Sequence, residues 1–401
     1  MNLKSLLRLA CVLGVLLLAP AWAWALPRMS LVAGTPCAAC HINVQGGGGR
    51  TEIGWGSMSK VGAISYDSIG LDALAEQESN RFFDNKASLG ADIRFQMARF
   101  GAPRSVVENG ELVVKPADRR VIPMQIQPYL GLFLAPWLKL YGTYAVGPST
   151  LEGNLCDPIY AGQSCFEAEA IIQPSYDAPT LRFGQIQPSI GIRHDDHTML
   201  IRADASAPRV PIIAPNYAEV GAELTYLPKF WLQLDTGVYR SKNLAEAIGN
   251  SEIVNADDTA WLGRAQLAPR IEGLPLTTYV GTSLFLSGEF QMQNYFFGLG
   301  WLNHGALMLE MSRSNRGEQL KHETLNTMVM LSVQVTEWLI AEARYERATS
   351  DIAEEEFLTQ SAVFGFQFFP VPYLELRPEY RYVKTDDYAS GQYAVQLHMF
   401  Y

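Results

Sequence analysis

Five consecutive residues near the start of the chain carry its clearest chemistry: Cys37-Ala38-Ala39-Cys40-His41. Two thiols at C-x-x-C spacing reach both vinyl groups of one haem and form thioether bonds, and the histidine that follows is placed to ligate the iron from the proximal side. A plain redox C-x-x-C with an unrelated histidine is the duller explanation. That motif belongs in a βαβ pattern, and none surrounds it here. The pentad therefore predicts one covalent haem c on Cys37, Cys40 and His41.

The distal ligand stays undecided at this level. Met29 and Met58 lie close to the pentad, and a methionine would raise the potential toward that of cytochromes c; each reads equally well as a packing residue. His398, near the chain's end, has a parity that turns it inward, and His304 falls in a short turn. A second group, Arg193-His194-Asp195-Asp196-His197, offers two imidazoles and two carboxylates. His194 and His197 are thus candidates for a brief extracellular metal contact, set against a solvated loop held by its own hydrogen bonds. Of five cysteines, Cys11 lies in an apolar leader and two serve the haem. Cys156 and Cys165 remain, and in an oxidising compartment they read as a disulfide closing a short loop.

The elements that must position these groups follow from patterning. Residues 1–25 read as a signal peptide, with Lys4 and Arg8, an apolar core from Leu9 to Ala19, Pro20 and two A-x-A sites. Residues 26–86 form the haem segment, in which Gly46 to Gly49 make a loop bare enough to lie against a porphyrin, or simply a flexible one. A short helix is expected over Leu71 to Gln77. The segment is poor in large apolar residues, so it needs the rest of the chain to enclose a haem.

Residues 87–401 run in period two. Ala362, Phe364, Phe366 and Phe368 alternate with Ser361, Gly365 and Gln367, as strands between lipid and a wet lumen require. About sixteen such strands can be counted, from 87–99 to 391–401, among them 137–147, 166–177 and 181–193. Tight turns such as 135–136 and 303–305 alternate mostly with long loops, including 100–120, 148–165, 194–217 and 242–257, which is the mark of an outer-membrane barrel. The expected fold is thus all-β, an antiparallel barrel preceded by a small haem-binding segment, with both termini on the periplasmic side. Trp137, Trp231, Trp301 and Trp338 fall near the short turns and predict an aromatic girdle. Asp92, Arg94, Glu342, Arg344, Glu346, Glu375, Arg377, Glu379 and Arg381 take the lumen parity and predict a salt-bridged interior. The string Gln-Ile-Gln-Pro occurs at 125–128 and 185–188, with glutamines turned inward.

Composition agrees. Aromatics reach 11% and charged residues only 18%, while apolar and polar residues average out as they do in a barrel. A net charge of −10 gives no basic patch for nucleic acid. No catalytic triad is visible.

One haem pentad ahead of a porin-sized barrel resembles the fused outer-membrane cytochrome–porins of iron-oxidising bacteria. The resemblance spans almost the whole chain in architecture, and only Cys37, Cys40 and His41 are specific. It implies oxidation of an extracellular donor such as Fe(II), with electrons passed through the haem to a periplasmic carrier. The alternatives are a porin-like channel whose haem segment is a plug or redox sensor, and a barrel that sheathes a separate cytochrome.

Overall fold

The computed structural model describes residues 28–33, 37–43, 46, 48–71, 79–100, 104–108, 111–115, 118–145, 161–175, 177–194, 199–208, 210–214, 216–229, 231–269, 273–317 and 321–401. The expected signal peptide, Cys156, His197 and nearly all of the expected 71–77 helix lie outside these residues.

Sixteen antiparallel strands close into a barrel: β1 (Ala87–Phe100), β2 (Asp118–Ala135), β3 (Leu138–Tyr144), β4 (Phe166–Ile172), β5 (Thr180–Ile186), β6 (Glu219–Lys229), β7 (Leu232–Arg240) and β8 (Thr259–Leu267). The second half is β9 (Leu276–Ser287), β10 (Phe290–Trp301), β11 (Gly305–Arg316), β12 (His322–Thr336), β13 (Leu339–Ile352), β14 (Glu355–Val371), β15 (Leu374–Lys384) and β16 (Ala389–Phe400). Each strand pairs with its sequence neighbour, and β16 returns to β1 with Gln96 opposite Gln396. No edge is left open in the sheet.

The alternation behaves as lipid on one side demands. On β10, Phe290, Met292, Asn294, Phe296, Gly298 and Gly300 are buried inward, while Tyr295 and Trp301 are exposed outward. Leu130, Val280, Val333, Phe364 and Val395 likewise stand on the outer surface, and buried polar side chains line the inside. The expected lumen charges are there and paired: Arg344 with Glu346 (3.1 Å), Arg377 with Glu342 (3.2 Å) and Arg381 with Glu379 (2.8 Å).

Several boundaries differ from those expected. β4 stops at Ile172 rather than 177: the ladder partner β3 begins at Leu138, and one further in-register bond, from the Gln173 N–H to the Trp137 carbonyl at 2.9 Å, closes the pairing. β5 stops at Ile186 rather than 193, because Pro188 brings no N–H to a ladder and Gly191 takes a positive φ of 57°. From there the chain enters the barrel instead of forming an extracellular loop. Ile190, Ile212, Ile213 and Tyr217 pack with Tyr239, Phe285 and Met292 in a buried core inside the sheet. The first long loop carries a hairpin, Arg104–Glu108 with Glu111–Lys115, and the 242–257 loop carries a helix, Lys242–Ile248, stopped by Gly249 at φ 69°. Of the expected girdle, Trp137 and Trp301 are exposed, while Trp231 and Trp338 are half-buried, Trp338 edge-on to Phe368, which shares the parity of the exposed Phe364 and Phe366.

Candidate functional site at the short-turn end of the barrel

The residues ahead of the barrel sit within its short-turn end. Helix α1 (Arg28–Ala33) lies against β9, β10 and β11. Its Leu31 is fully buried among Tyr279, Phe296, Met308, Met328 and Met330. Two glycines on β10 allow this. A Cβ on Gly300 would lie 2.5 Å from the Leu31 carbonyl oxygen, and one on Gly298 would lie 2.8 Å from Leu31 Cδ1. The Leu31 carbonyl accepts from Thr277 Oγ1 at 2.6 Å, and the Val32 carbonyl from the Asn303 N–H at 3.0 Å.

The cysteine pair forms a single helical turn, α2 (Cys37–Cys40), and the His41 N–H extends it by donating to the Cys37 carbonyl at 2.8 Å. A helical turn sends the side chains at i and i+3 from the same face, so both thiols leave together with the imidazole next in line. Neither is in a disulfide. After the turn, Ile42 packs on Tyr129, Tyr141 and Ile171 of β2, β3 and β4. The Gly49 N–H donates to Tyr141 Oη at 3.0 Å, and Asn43 Oδ1 accepts from Arg182 of β5 at 3.3 Å. Helix α3 (Glu52–Met58) begins at Thr51, whose hydroxyl caps the Gly54 N–H. It carries Trp55 onto Tyr373, the rings 5.5 Å apart and 24° from parallel. Three walls of the barrel thus hold the segment: β9–β11 through Leu31, β2–β5 through Ile42 and Asn43, and β14–β16 through Trp55.

The residues around the pentad fit a haem attachment. Cys37 is 7% exposed. Gly46, at φ 85°, is bare toward it, since a Cβ there would stand 3.6 Å from Cys37 Sγ and 3.9 Å from His41 Cδ2. The Trp55 indole N–H is buried and finds no hydrogen-bond acceptor among the described residues. Its neighbour Gly54 abuts the Cys40 carbonyl, so the start of α3 packs directly on the turn that carries the cysteines.

The other candidates scatter. His398 is buried on β16, its Nδ1 2.9 Å from Glu375 Oε2 and its Nε2 3.4 Å from Asp92 Oδ1. Both ring nitrogens face carboxylates. Met58 packs with Trp55 and Tyr373, and Met29 is 45% exposed on α1. His304 stacks on Trp301 and donates from Nδ1 to the Leu302 carbonyl at 2.6 Å. His194 is not an extracellular loop residue: it is drawn into the barrel, where Nε2 meets Glu310 Oε2 at 2.7 Å. Cys165 is disulfide-bonded.

Two features were not expected from sequence. Arg182 is fully buried and lies 3.2 Å from Glu169 and 2.5 Å from Glu223; no motif singles it out, and only its place in the alternation of β5 could have marked it. The inward loop is also tied to the far wall. Asp204 lies 2.9 Å from His322 Nε2 and 3.1 Å from Arg316 Nη2 and accepts from Ser350 Oγ at 2.9 Å, and the Ala205 N–H donates to Ser350 Oγ at 2.8 Å. Burial alone would raise Asp204, but the hydrogen bonds from His322, Ser206 and Ser350 and the charge of Arg316 outweigh it and hold the carboxyl well below the usual range. Among the described residues no group of three or more His, Cys, Asp and Glu side chains comes together.

Neither a protein-family model nor a curated protein matches the sequence. Solved structures do resemble the fold. The outer membrane channel DcaP of Acinetobacter baumannii matches with a TM-score of 0.51 at 12% identity, over 80% of this chain and 99% of that one. OprB of Pseudomonas putida matches with 0.53 at 11% identity, over 79% and 95%. An anion-selective porin from Comamonas acidovorans matches with 0.51 at 10% identity, over 79% and 99%. The chain has the fold of an outer-membrane porin barrel.

Proposed function

We propose that this chain is an outer-membrane electron-transfer protein with one haem c, accepting electrons from an extracellular donor such as Fe(II) and passing them to a periplasmic carrier. The supporting observation is the position of the pentad: Cys37 is buried, on a helical turn that the barrel interior holds from three sides. Cys37 and Cys40 would hold the haem by thioether bonds, and His41 would ligate its iron. Bound haem supplies a one-electron Fe(III)/Fe(II) couple. The protein's part is to fix that centre and limit water around it, through Leu31, Ile42 and Trp55 on their respective walls.

The likeness to porins favours a second reading, a porin-like channel in which the same segment is a plug or redox sensor. The two readings part on permeability. In liposomes, the electron-transfer reading expects Fe(II) outside to bring up a reduced c-type spectrum with little solute-driven swelling. Swelling at a porin's rate, with no Fe(II) response, would leave the channel.

A further inference from the structure

Deeper in the barrel than Leu31, the lumen face of β9–β12 is a lattice of rows. Thr277, Gly300 and Ala306 form the row that touches Leu31; Tyr279, Gly298 and Met308 form the next; Phe296, Glu310 and Met328 follow, and then Ser283, Asn294 and Ser312. Into the last two rows the inward loop places Gly191, Ile192 and His194. Glu310 is buried, with Oε1 accepting from the Ile192 N–H at 3.0 Å and Oε2 2.7 Å from His194 Nε2. Asn294 is fully buried. Its Nδ2 donates to Ser283 Oγ at 3.2 Å, but its Oδ1 has no hydrogen-bond donor among the described residues. The two side chains flank one point: a Cβ on Gly191 would lie 2.2 Å from Glu310 Oε1 and 3.1 Å from Asn294 Cγ. A buried, unpaired amide oxygen near a carboxylate that itself holds an imidazole is costly unless something binds it. The guanidiniums nearby are committed elsewhere, Arg202 to the Ile192 carbonyl at 2.9 Å and Arg264 to Asp235 at 2.8 Å.

We propose that His194 Nε2, the Glu310 carboxylate and Asn294 Oδ1 form a binding site for a divalent first-row transition-metal cation. Mixed nitrogen and oxygen donors suit such ions. The ion takes the place of the His194–Glu310 hydrogen bond: the neutral imidazole keeps its one N–H on Nδ1 and turns the Nε2 lone pair to the metal. The Tyr279 row lies between the row that touches Leu31 and the row that carries Glu310. A reduced metal ion held here would be the electron donor of the reading above; that role rests on the electron-transfer proposal, whereas binding itself does not.

The full-length chain in detergent, titrated with Co(II), tests the site through ligand-field absorption. One Co(II) per chain is expected, with affinity falling about tenfold or more in His194→Ala. Asn294→Asp, which adds a charge in the same shape, tightens binding. Heat-modifiable migration checks that each variant is folded. Unchanged affinity in folded His194→Ala or in Asn294→Asp, or no saturable binding to the wild type, overturns the site. The double variant Cys37→Ala/Cys40→Ala separates the two proposals. Co(II) binding that persists there, together with a wild-type chain that has no haem, sinks electron transfer and keeps the site; haem reduction by Fe(II) without Co(II) binding does the reverse.

Discussion

Gly300→Leu is the sharpest perturbation of the way the segment is seated. Position 300 faces the lumen, and a Cβ there would meet Thr277 Oγ1 at 2.2 Å and the Leu31 carbonyl carbon and oxygen at 2.7 and 2.5 Å. Backbone atoms cannot swing aside as a side-chain tip can, so α1 must lift. Lifting exposes Leu31, a loss of about 2 kcal/mol, and breaks the hydrogen bonds to Thr277 and Asn303, worth about 1 kcal/mol each. The total of roughly 4 kcal/mol moves the seated-to-lifted ratio by nearly three orders of magnitude. The barrel needs no part of α1 for its strand ladder and should still form. Limited proteolysis reads the outcome: cleavage within residues 28–43 becomes fast in Gly300→Leu and stays slow in the wild type and in Gly263→Ala, where a Cβ meets nothing within 4 Å. Equal protection in all three proteins would refute the argument that bare glycines let the segment dock.

Arg182→Met leaves Glu169 and Glu223 buried without their cation and should cost about 3 to 5 kcal/mol, seen as a lower midpoint of heat-induced mobility change. Trp55→Ala removes a buried ring stacked on Tyr373 and should cost about 3 to 5 kcal/mol locally, measured by hydrogen exchange across residues 52–61. Because the Asp204 carboxyl is depressed in the folded chain, its contribution is complete above the unfolded value of about 3.9 and is lost only as pH falls below that toward the folded value. The inward loop therefore keeps its protection at pH 5 and loses it in strong acid. Asp204→Asn costs about 2 kcal/mol at neutral pH, and exchange over residues 199–208 reports it.

Much of the barrel was legible because each strand meets lipid on one face and water or polar groups on the other, and a period of two records that directly. Residues 218–228 and 291–302, read from alternation, are β6 and β10 within a residue or so. The inward loop was not legible. Ile190, Ile212 and Ile213 carry no periodicity that says which side of the sheet they cover, and Arg193-His194-Asp195-Asp196-His197 looks like any hydrated loop until Glu310, far off in sequence, is set beside His194. The pentad is the opposite case. Its spacing alone carries the haem proposal, and the fold adds only the surroundings, namely Gly46 against Cys37, Arg182 on Asn43 and Gly54 against the Cys40 carbonyl.

The most direct test of the central claim is whether the purified chain carries one covalent haem. After denaturation and extraction with acidified solvent, the account predicts haem that remains on the polypeptide at one per chain, gives a c-type pyridine haemochrome spectrum, and is lost in Cys37→Ala/Cys40→Ala. A folded barrel from a host competent in haem c attachment that yields no haem, or haem that washes away, would contradict it.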